Sequence, residues 1–518
     1  MSLTLAKAAS LLLEHHLLNE IITPQGWTLN ADGITDAHAS FTHITYDTRS
    51  VRKGTLLVCK GRFKPEFLDG LDDKGLAAYV SQTDYSAYTD APGLIVTDAR
   101  KALSLLSAEF YGRPQDGLTL IGITGTKGKT TTAYLTQAAL NAYSGGRCAL
   151  FSSVDLCLDG HDMIPSKLTT PESLDAFRMM REAVDNGMRY LVMEVSSQAY
   201  KVERVYGLTF DVGAFLNISP DHISAIEHPT FEDYLRCKRQ LAYHSRALVL
   251  NADSAHADLV REDAAAANIP VTDFALRVDK GDTSTAAWQA SPVDETRNTF
   301  RFTHNGDPVT ELSLSLPGDF NYANALAAMA LAHAAGVPCD SPAFSAMEPV
   351  KVPGRMELFG SEESGTVAIV DYAHNYASVT SLLDFVEHRY AGRSPRITLV
   401  AGSAGNKALD RRREIVEAAQ HRIARFVFTA EDTDTEPYLD ICNEMLGNVT
   451  DEHVDASVIV DRVAAITDAI ANAQSHDGLD VVLLIGKGDE RWIKDMNRHV
   501  AYEGDDRVAE RLLHASKE

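Results

Sequence analysis

Apolar and polar positions follow three different rhythms along this chain. Up to about residue 112, short runs mix helical and strand-like spacing. MSLTLAKAASLLLEHHLLNE, broken by Glu14, His15 and His16, reads as an amphipathic first helix and not as a signal peptide. ITYDTRSVRKGTLLVCKG predicts paired strands around a turn at Lys53-Gly54. YGRPQDG, residues 111–117, is rich in turn formers and reads as a linker. Beyond it, RYLVMEV, VGAFLNI and ALVLNAD are continuous apolar runs of the buried-strand type, with helical stretches between the first of them. That alternation predicts a parallel sheet covered on both faces. Residues near 280–316 alternate with period two and suggest an antiparallel insertion. KVPGRMELF (351–359) marks the next boundary; TVAIVDYA, RITLVAGS, RFVFTAED and DVVLLIGKG then form a second strand–helix series, a further doubly wound domain. No internal repeat, low-complexity segment or window of about 18 consecutive apolar residues occurs, so no membrane insertion is expected.

Bulk composition narrows the function. A chain of 518 residues exceeds the roughly 250–300 at which single cores stop growing. Its formal charge of −24, without a basic block, argues against nucleic acid as a partner, since that binding rests on clustered Lys and Arg. Anionic ligands must be held by locally placed cations and backbone N–H groups. The six cysteines are scattered without a C-x-x-C pair, which suits reduced thiols in a cytoplasm.

LIGITGTKGKTTTAYL (120–135) runs from apolar strand through a glycine-rich loop into a helical pattern. It departs from G-x-x-x-x-G-K-[ST], because Ile123 stands where the first Gly should be and Gly122 and Gly125 take its place. The physical parts remain: small residues that let backbone N–H groups approach phosphates, a helix N-terminus, Lys129 to neutralise charge, and Thr130 to hold Mg²⁺. A nucleoside triphosphate site follows. Glu194, a carboxylate ending an apolar strand, is placed toward the crevice at the sheet's carboxyl edge.

The variant T-G-T-K-G-K-T-T resembles the Mur ligases, and other motifs follow in that family's order: LTTPES (168–173), MEVSSQAYKVERVYG (193–207), LNISPDH (216–222), Lys238 after YLRC, GDFNYANALAA (318–328), PGRME (353–357) and DYAHN (371–375). YDTR (46–49) and GKGDE (486–490) extend the likeness to both ends. The resemblance implies an α/β chain of three domains, with a central P-loop doubly wound sheet and a Rossmann-like C-terminal domain. Residues 1–112 would bind the UDP substrate, 113–350 ATP, and 351–518 the incoming amino acid. It implies an ATP-dependent ligase that moves the γ-phosphoryl group to a carboxylate and lets an amine displace phosphate. The wording is most similar to members that add L-lysine to UDP-N-acetylmuramoyl-L-alanyl-D-glutamate in peptidoglycan synthesis. A monomer is the family's default.

Carried over by motif, the resemblance places ATP and Mg²⁺ at Gly125, Thr126, Lys127, Gly128, Lys129, Thr130 and Thr131, with Asn324, Arg355 and Asp371 reaching the nucleotide from later segments. Metal ligands would be Thr130, Glu194 and His222; Lys129, Glu194, His222 and Lys238 would be catalytic. In the family the lysine corresponding to Lys238 is carbamylated, and a buried amine of lowered pKa can react in that way. Thr48, Thr169, Thr170, Ser196 and Arg204 fall where UDP-muramyl peptide is held, Arg204 being suited to a carboxylate fork. Asn321 and His374 fit turn or supporting roles as well as ligand contact.

The added amino acid would meet Lys407, Glu431, Asp434, Gly486 and Glu490. Diaminopimelate-adding relatives carry D-N-P-R where this chain has FTAEDTDTEP (428–437), and Asp434 falls at that Arg position. An anion there would repel a distal carboxylate and favour an ammonium, so L-lysine is expected, with L-ornithine or meso-diaminopimelate as alternatives. Three departures bear on this reading: Asp432-Thr433 replaces Asn-Pro, Asp489 replaces a His, and Lys407 replaces an Arg. A P-loop ATPase without an acceptor is the rival class. Folylpolyglutamate synthetase shares the central chemistry but not the YDTR-type N-terminal region.

Overall fold

The structure is a computed structural model describing residues 3–224, 227–278, 284–294, 296–406 and 409–514. Three large sheets organise them, each with its own apolar core.

The first sheet has six strands in the order Gly26–Thr28, Leu18–Thr23, Gly93–Val96, Leu76–Ser81, Thr55–Val58, His43–Thr45. His43–Thr45 and Thr55–Val58 do pair, but in parallel, so no hairpin turns at Lys53-Gly54. A 3₁₀ turn at Thr48–Ser50 lies in the crossover instead. The reason is burial: all four residues of Thr55–Val58 are buried between two neighbouring strands, an environment that suits parallel pairing. The segment expected as a linker contains a short 3₁₀ turn, Pro114–Gly117, entered through Arg113 in the left-handed region.

The central sheet has eleven strands. From Cys148–Phe151 through Tyr190–Glu194, Thr119–Thr124, Val212–Phe215, Leu248–Asn251 and Val271–Leu276 to Trp288–Pro292, all neighbours are parallel. The period-two stretch near 280–316 is antiparallel as read, pairing Trp288–Pro292 with Phe300–His304 and that with Asp307–Leu312. It is not a separate insertion, because Trp288–Pro292 joins Val271–Leu276 directly and the strands prolong the same sheet. Helices Lys129–Ser144 and Asp319–Ala334 pack along one another on one face. The second is buried on nearly all sides from Tyr322 to Ala332, so its alanine-rich sequence is apolar all round rather than amphipathic.

The third sheet runs Glu357–Ser361, Thr366–Asp371, Asp480–Ile485, Arg396–Ala401, Arg425–Phe428, Asp455–Val458. Only the first strand is antiparallel to its neighbour. A two-stranded ribbon, Trp492–Asp495 with Arg498–Ala501, follows. Loops beyond the carboxyl ends of the central and third sheets face each other across a cleft of about 890 Å³. That is where open α/β sheets hold ligands.

Candidate active site

The strand Thr119–Thr124 delivers the chain into Gly125–Gly128, and the helix from Lys129 begins there without a side-chain cap. Its first N–H groups therefore have no intramolecular side chain to satisfy them, the arrangement that receives phosphate. Gly128 is required twice over. Its φ is +84°, and a Cβ would come within 2.3 Å of Asn324 Oδ1. Asn217, from the LNISPDH motif, holds the loop from the side: its Oδ1 accepts from Lys127 N–H at 2.9 Å and its Nδ2 donates to Lys127 O at 3.1 Å.

Two lysines converge on one loop carbonyl. Lys129 Nζ donates to Gly125 O at 2.9 Å, and Lys238 Nζ donates to the same oxygen at 2.7 Å. Lys238 is enclosed, with its Nζ 4.8 Å from the centre of the Tyr234 ring. Burial pushes its pKa well below the usual lysine value, and the nearby charge of Lys129 pushes the same way. Lys129 is lowered by burial too, against the opposing charge of Glu194.

Glu194 ends its strand fully buried. Oε1 accepts from Ser153 N–H at 2.7 Å, and Ser153 Oγ lies 3.1 Å from Oε2 and 3.0 Å from Thr169 Oγ1. Thr170 Oγ1 donates to Glu194 O and accepts from Ser196 N–H. The cleft is thus lined on one wall by Thr130, Thr169, Glu194 and Ser196. Arg204 lines it as well; its Nε donates to Glu172 Oε1 at 2.8 Å and its NH1 to Thr170 O at 3.2 Å, and Glu172 also pairs with Lys60, which follows the strand Thr55–Val58.

The opposite wall comes from the third sheet. Arg355 lies over the Tyr372 ring at 4.5 Å, and its Nε is buried without a hydrogen-bond partner among the described residues. Asp371 accepts from Met356 N–H and Ala373 N–H, and burial raises its pKa against the charge of Arg355. Asp221 joins the two walls. Arg411 NH2 donates to its Oδ1 at 2.5 Å, Asn375 Nδ2 lies 3.4 Å from Oδ2, and Lys127 Nζ stands 3.5 Å away. Although burial opposes it, the Lys127 and Arg411 charges hold Asp221 well below the carboxylate range. His374 Nδ1 donates to Tyr372 O at 2.6 Å, leaving Nε2 to accept from Lys127 Nζ at 2.9 Å. Burial and the cations beside it depress His374 to about 3, so the ring is neutral.

A second charged cluster lies outside the residues lining this cleft. Lys487, buried, donates to Asp432 at 2.9 Å, pairs with Glu490, and sits 4.4 Å from the Trp492 ring centre. Lys494 Nζ donates to Asp434 Oδ1 at 2.9 Å. Glu431 is folded beneath Gly486, where φ is +98° and a Cβ would meet Glu431 Oε2 at 2.5 Å.

The family described as Mur ligase middle domain matches residues 123–332, and Mur ligase, glutamate ligase domain, matches 354–488. The chain is 63% identical over 518 residues to a UDP-N-acetylmuramyl-tripeptide synthetase of Bifidobacterium longum (strain NCC 2705), covering 99% of this chain and 100% of that one. This chain belongs to the Mur ligase family. It is also 39% identical over 520 residues to the UDP-N-acetylmuramoyl-L-alanyl-D-glutamate–L-lysine ligase of Enterococcus faecalis (strain ATCC 700802 / V583), with 99% of each covered. A solved UDP-N-acetylmuramoyl-L-alanyl-D-glutamate–2,6-diaminopimelate ligase shares the fold at 22% identity and a TM-score of 0.63, covering 94% of this chain and 97% of that one.

As a Mur ligase the protein is an ATP-dependent, amide-forming enzyme of peptidoglycan synthesis. The cleft brings together most of the residues the sequence singles out: Thr126 to Thr131, Thr169, Glu194, Ser196, Arg204, His222, Lys238, Asn324, Arg355 and Asp371. His222 reaches it with φ +57° and Nδ1 3.1 Å from Glu227. Thr48, half-buried on its 3₁₀ turn, is not part of the lining, nor are Glu431, Asp434, Gly486 and Glu490. Lys407 lies outside the described residues. Arg204 meets Glu172 through its Nε, and Asp434 is paired with Lys494. Sequence reasoning passed over Asp221, Arg411, Lys487 and Lys494. Lys487 stands inside GKGDE, which was visible; Arg411 is one of three arginines in a helical run, with nothing to distinguish it before folding.

Proposed function

We propose that this Mur ligase joins L-lysine to the D-glutamyl γ-carboxylate of UDP-N-acetylmuramoyl-L-alanyl-D-glutamate in the cytoplasm, through an acyl phosphate made from ATP. The observation that carries the reading is the convergence of an uncapped phosphate-loop helix, Lys129, Lys238, Glu194 and the unpartnered Arg355 Nε on one cleft. ATP phosphates would take the loop N–H groups and Lys129, with Arg355 reaching them from the facing sheet. A carboxylate is a poor acceptor for an amine, so the protein's task is to align it with the γ-phosphoryl group and to neutralise charge as phosphate leaves.

The donor set also suits Mg²⁺. Thr130 Oγ1 and the Glu194 carboxylate are hard oxygen ligands beside the phosphate loop, with His222 further along the same lining. When bound, Mg²⁺ would offset negative charge on the phosphates. Lys238 supports carbamylation: two ammonium groups crowd one carbonyl in a buried site, which favours the neutral amine. The amine would attack CO₂ and lose a proton, replacing a cation by an anion. Thr48, Thr169, Thr170, Ser196 and Arg204 are assigned to the muramyl peptide, and 1–112, 113–350 and 351–518 to the three domains.

L-lysine is favoured over L-ornithine and meso-diaminopimelate by the Enterococcus faecalis relative and by the acidic cluster. There Glu431, Asp432, Asp434 and Glu490 stand against Lys487 and Lys494 among the described residues. Lys407 is assigned to the α-carboxylate. The test is phosphate release with ATP, Mg²⁺ and the UDP-muramyl dipeptide, comparing the three amino acids and weighing the product. Release that depends on lysine, with tripeptide product, is expected. Diaminopimelate as the best acceptor would overturn the lysine assignment, and release indifferent to every acceptor would overturn the ligase reading.

A further inference from the structure

At the far end of the central sheet, His304, His333 and Cys339 face one another with one ligand atom from each within 4.8 Å of the others. We propose that these three side chains form a divalent transition-metal site, suited above all to Zn²⁺, that fastens the helix Asp319–Ala334 to the sheet's antiparallel edge. None of the three belongs to the cleft lining described above.

The donor atoms stand at coordination spacing. Cys339 Sγ lies 3.3 Å from His304 Nδ1 and beside both nitrogens of the His333 ring, 3.4 Å from Nδ1 and 3.6 Å from Nε2. With Zn–S near 2.3 Å and Zn–N near 2.05 Å, a tetrahedral site separates sulfur from nitrogen by about 3.5 Å. His333 Nδ1 donates to Val337 O at 2.9 Å, which fixes the tautomer and leaves the Nε2 lone pair for a metal. A backbone carbonyl holding the second nitrogen is the usual support for a metal-bound histidine. His304 Nε2 is 3.3 Å from the Asn305 side-chain amide, which in its flipped orientation accepts the Nε2–H and frees Nδ1.

Local structure brings the three together. His304 ends the strand Phe300–His304 directly opposite Trp288. His333 is in the last turn of its helix, and Gly336, at φ +105°, turns the chain back so that Cys339 passes beneath. Trp288 floors the site, stacked on His304 at 4.6 Å and tilted against His333 at 5.6 Å. All three ligands are partly exposed, so an ion and a completing water have access. One thiolate and two imidazoles select borderline and soft metals over Mg²⁺. His333 is nine residues beyond Asn324 on the same helix, about 14 Å along its axis. The metal would therefore act as a clamp remote from the phosphate loop.

The test uses chelator-treated full-length protein titrated with Co²⁺. One equivalent should raise a thiolate-to-cobalt charge-transfer band and tetrahedral d–d bands, quench the Trp288 share of the fluorescence, and be displaced by Zn²⁺. Cys339→Ser and His304→Ala should each lose the band while ligase activity is kept. Cys237→Ser is the control, because Cys237 lies within another cluster, with His228 and Asp233, and should keep it. A band that survives Cys339→Ser or vanishes in Cys237→Ser would overturn the assignment. So would Co²⁺ binding without any thiolate band.

Discussion

Replacing Arg411 with methionine removes an ion pair that ties the third sheet's side of the cleft to Asp221 on the central side, while keeping much of the side chain's bulk. Arg411 is largely buried, and Asp221, which receives its 2.5 Å hydrogen bond, is more so. Breaking a buried ion pair from one side costs about 3–5 kcal/mol when the remaining charge has no other partner. Asp221 keeps Lys127 at 3.5 Å and the Asn375 amide at 3.4 Å, so the cost falls below that range, to about 2–3 kcal/mol. At 1.4 kcal/mol per decade, that lowers the ratio of closed to open molecules by roughly 30- to 100-fold. Because Arg355 and Asp371 reach the cleft only from the third sheet, kcat/KM for ATP should fall with the closed fraction, by less than the change in that ratio when the parent is mostly closed. Small-angle scattering of ligand-free Arg411→Met should show a larger radius of gyration than the parent. The decisive assay is a double-mutant cycle with Asp221→Asn on kcat/KM. The two losses should overlap by more than about 1.5 kcal/mol. Purely additive losses, with an unchanged radius of gyration, would refute the view that this pair holds the walls together.

Burial places Lys127 at about 8 in the ligand-free protein, and triphosphate beside it should raise that value again. A base with a depressed pKa is neutral above it, so ATP binding near pH 9 should take up a proton. The calorimetric enthalpy should then vary with the buffer's ionisation enthalpy, and that dependence near pH 9 should shrink in Lys127→Met. Gly128→Ala, which forces alanine into φ +84° against Asn324, should weaken ATP binding at least tenfold by equilibrium dialysis, at a local conformational cost of about 1–2 kcal/mol. Glu194→Gln keeps the shape and the Ser153 contacts but removes the charge; kcat should drop by at least about a hundredfold, with a higher Mg²⁺ requirement. Asp434→Arg reverses one charge and releases Lys494, so use of meso-diaminopimelate should rise relative to L-lysine in the phosphate-release assay.

Elements whose burial is complete were the easiest to read from the sequence. RYLVMEV, VGAFLNI and RITLVAGS are apolar without alternation, and each contains a parallel strand buried on both faces. ITYDTRSVRKGTLLVCKG misled because turn residues at Lys53-Gly54 suggest a hairpin, whereas partners distant in sequence dictate a parallel pair. The phosphate loop was legible because its chemistry is local: glycines, a lysine and a hydroxyl within one turn. Contacts made across the cleft were not. Asp221 and Arg411 are 190 residues apart, and nothing in either neighbourhood marks them as partners. The pairing of Asp434 with Lys494 is similarly hidden, because a ribbon 60 residues downstream supplies the cation.

Net charge and site charge point in opposite directions, and that contrast explains why Asp221 matters. The chain carries −24, yet Lys127, Lys129, Lys238 and Arg355 all line the cleft, with Arg411 at its margin. The charges of Arg411, Arg355 and Lys129 each work against protonation of Lys127, so bringing the third sheet onto the phosphate loop concentrates like charge. Asp221 offsets part of that repulsion and lets the walls meet without nucleotide. Neutral His374 helps, since it accepts from Lys127 without adding a further cation. A triphosphate would supply the remaining negative charge, so nucleotide binding and closure should reinforce each other. On this argument Asp221→Asn should make closure more dependent on ATP rather than abolish it.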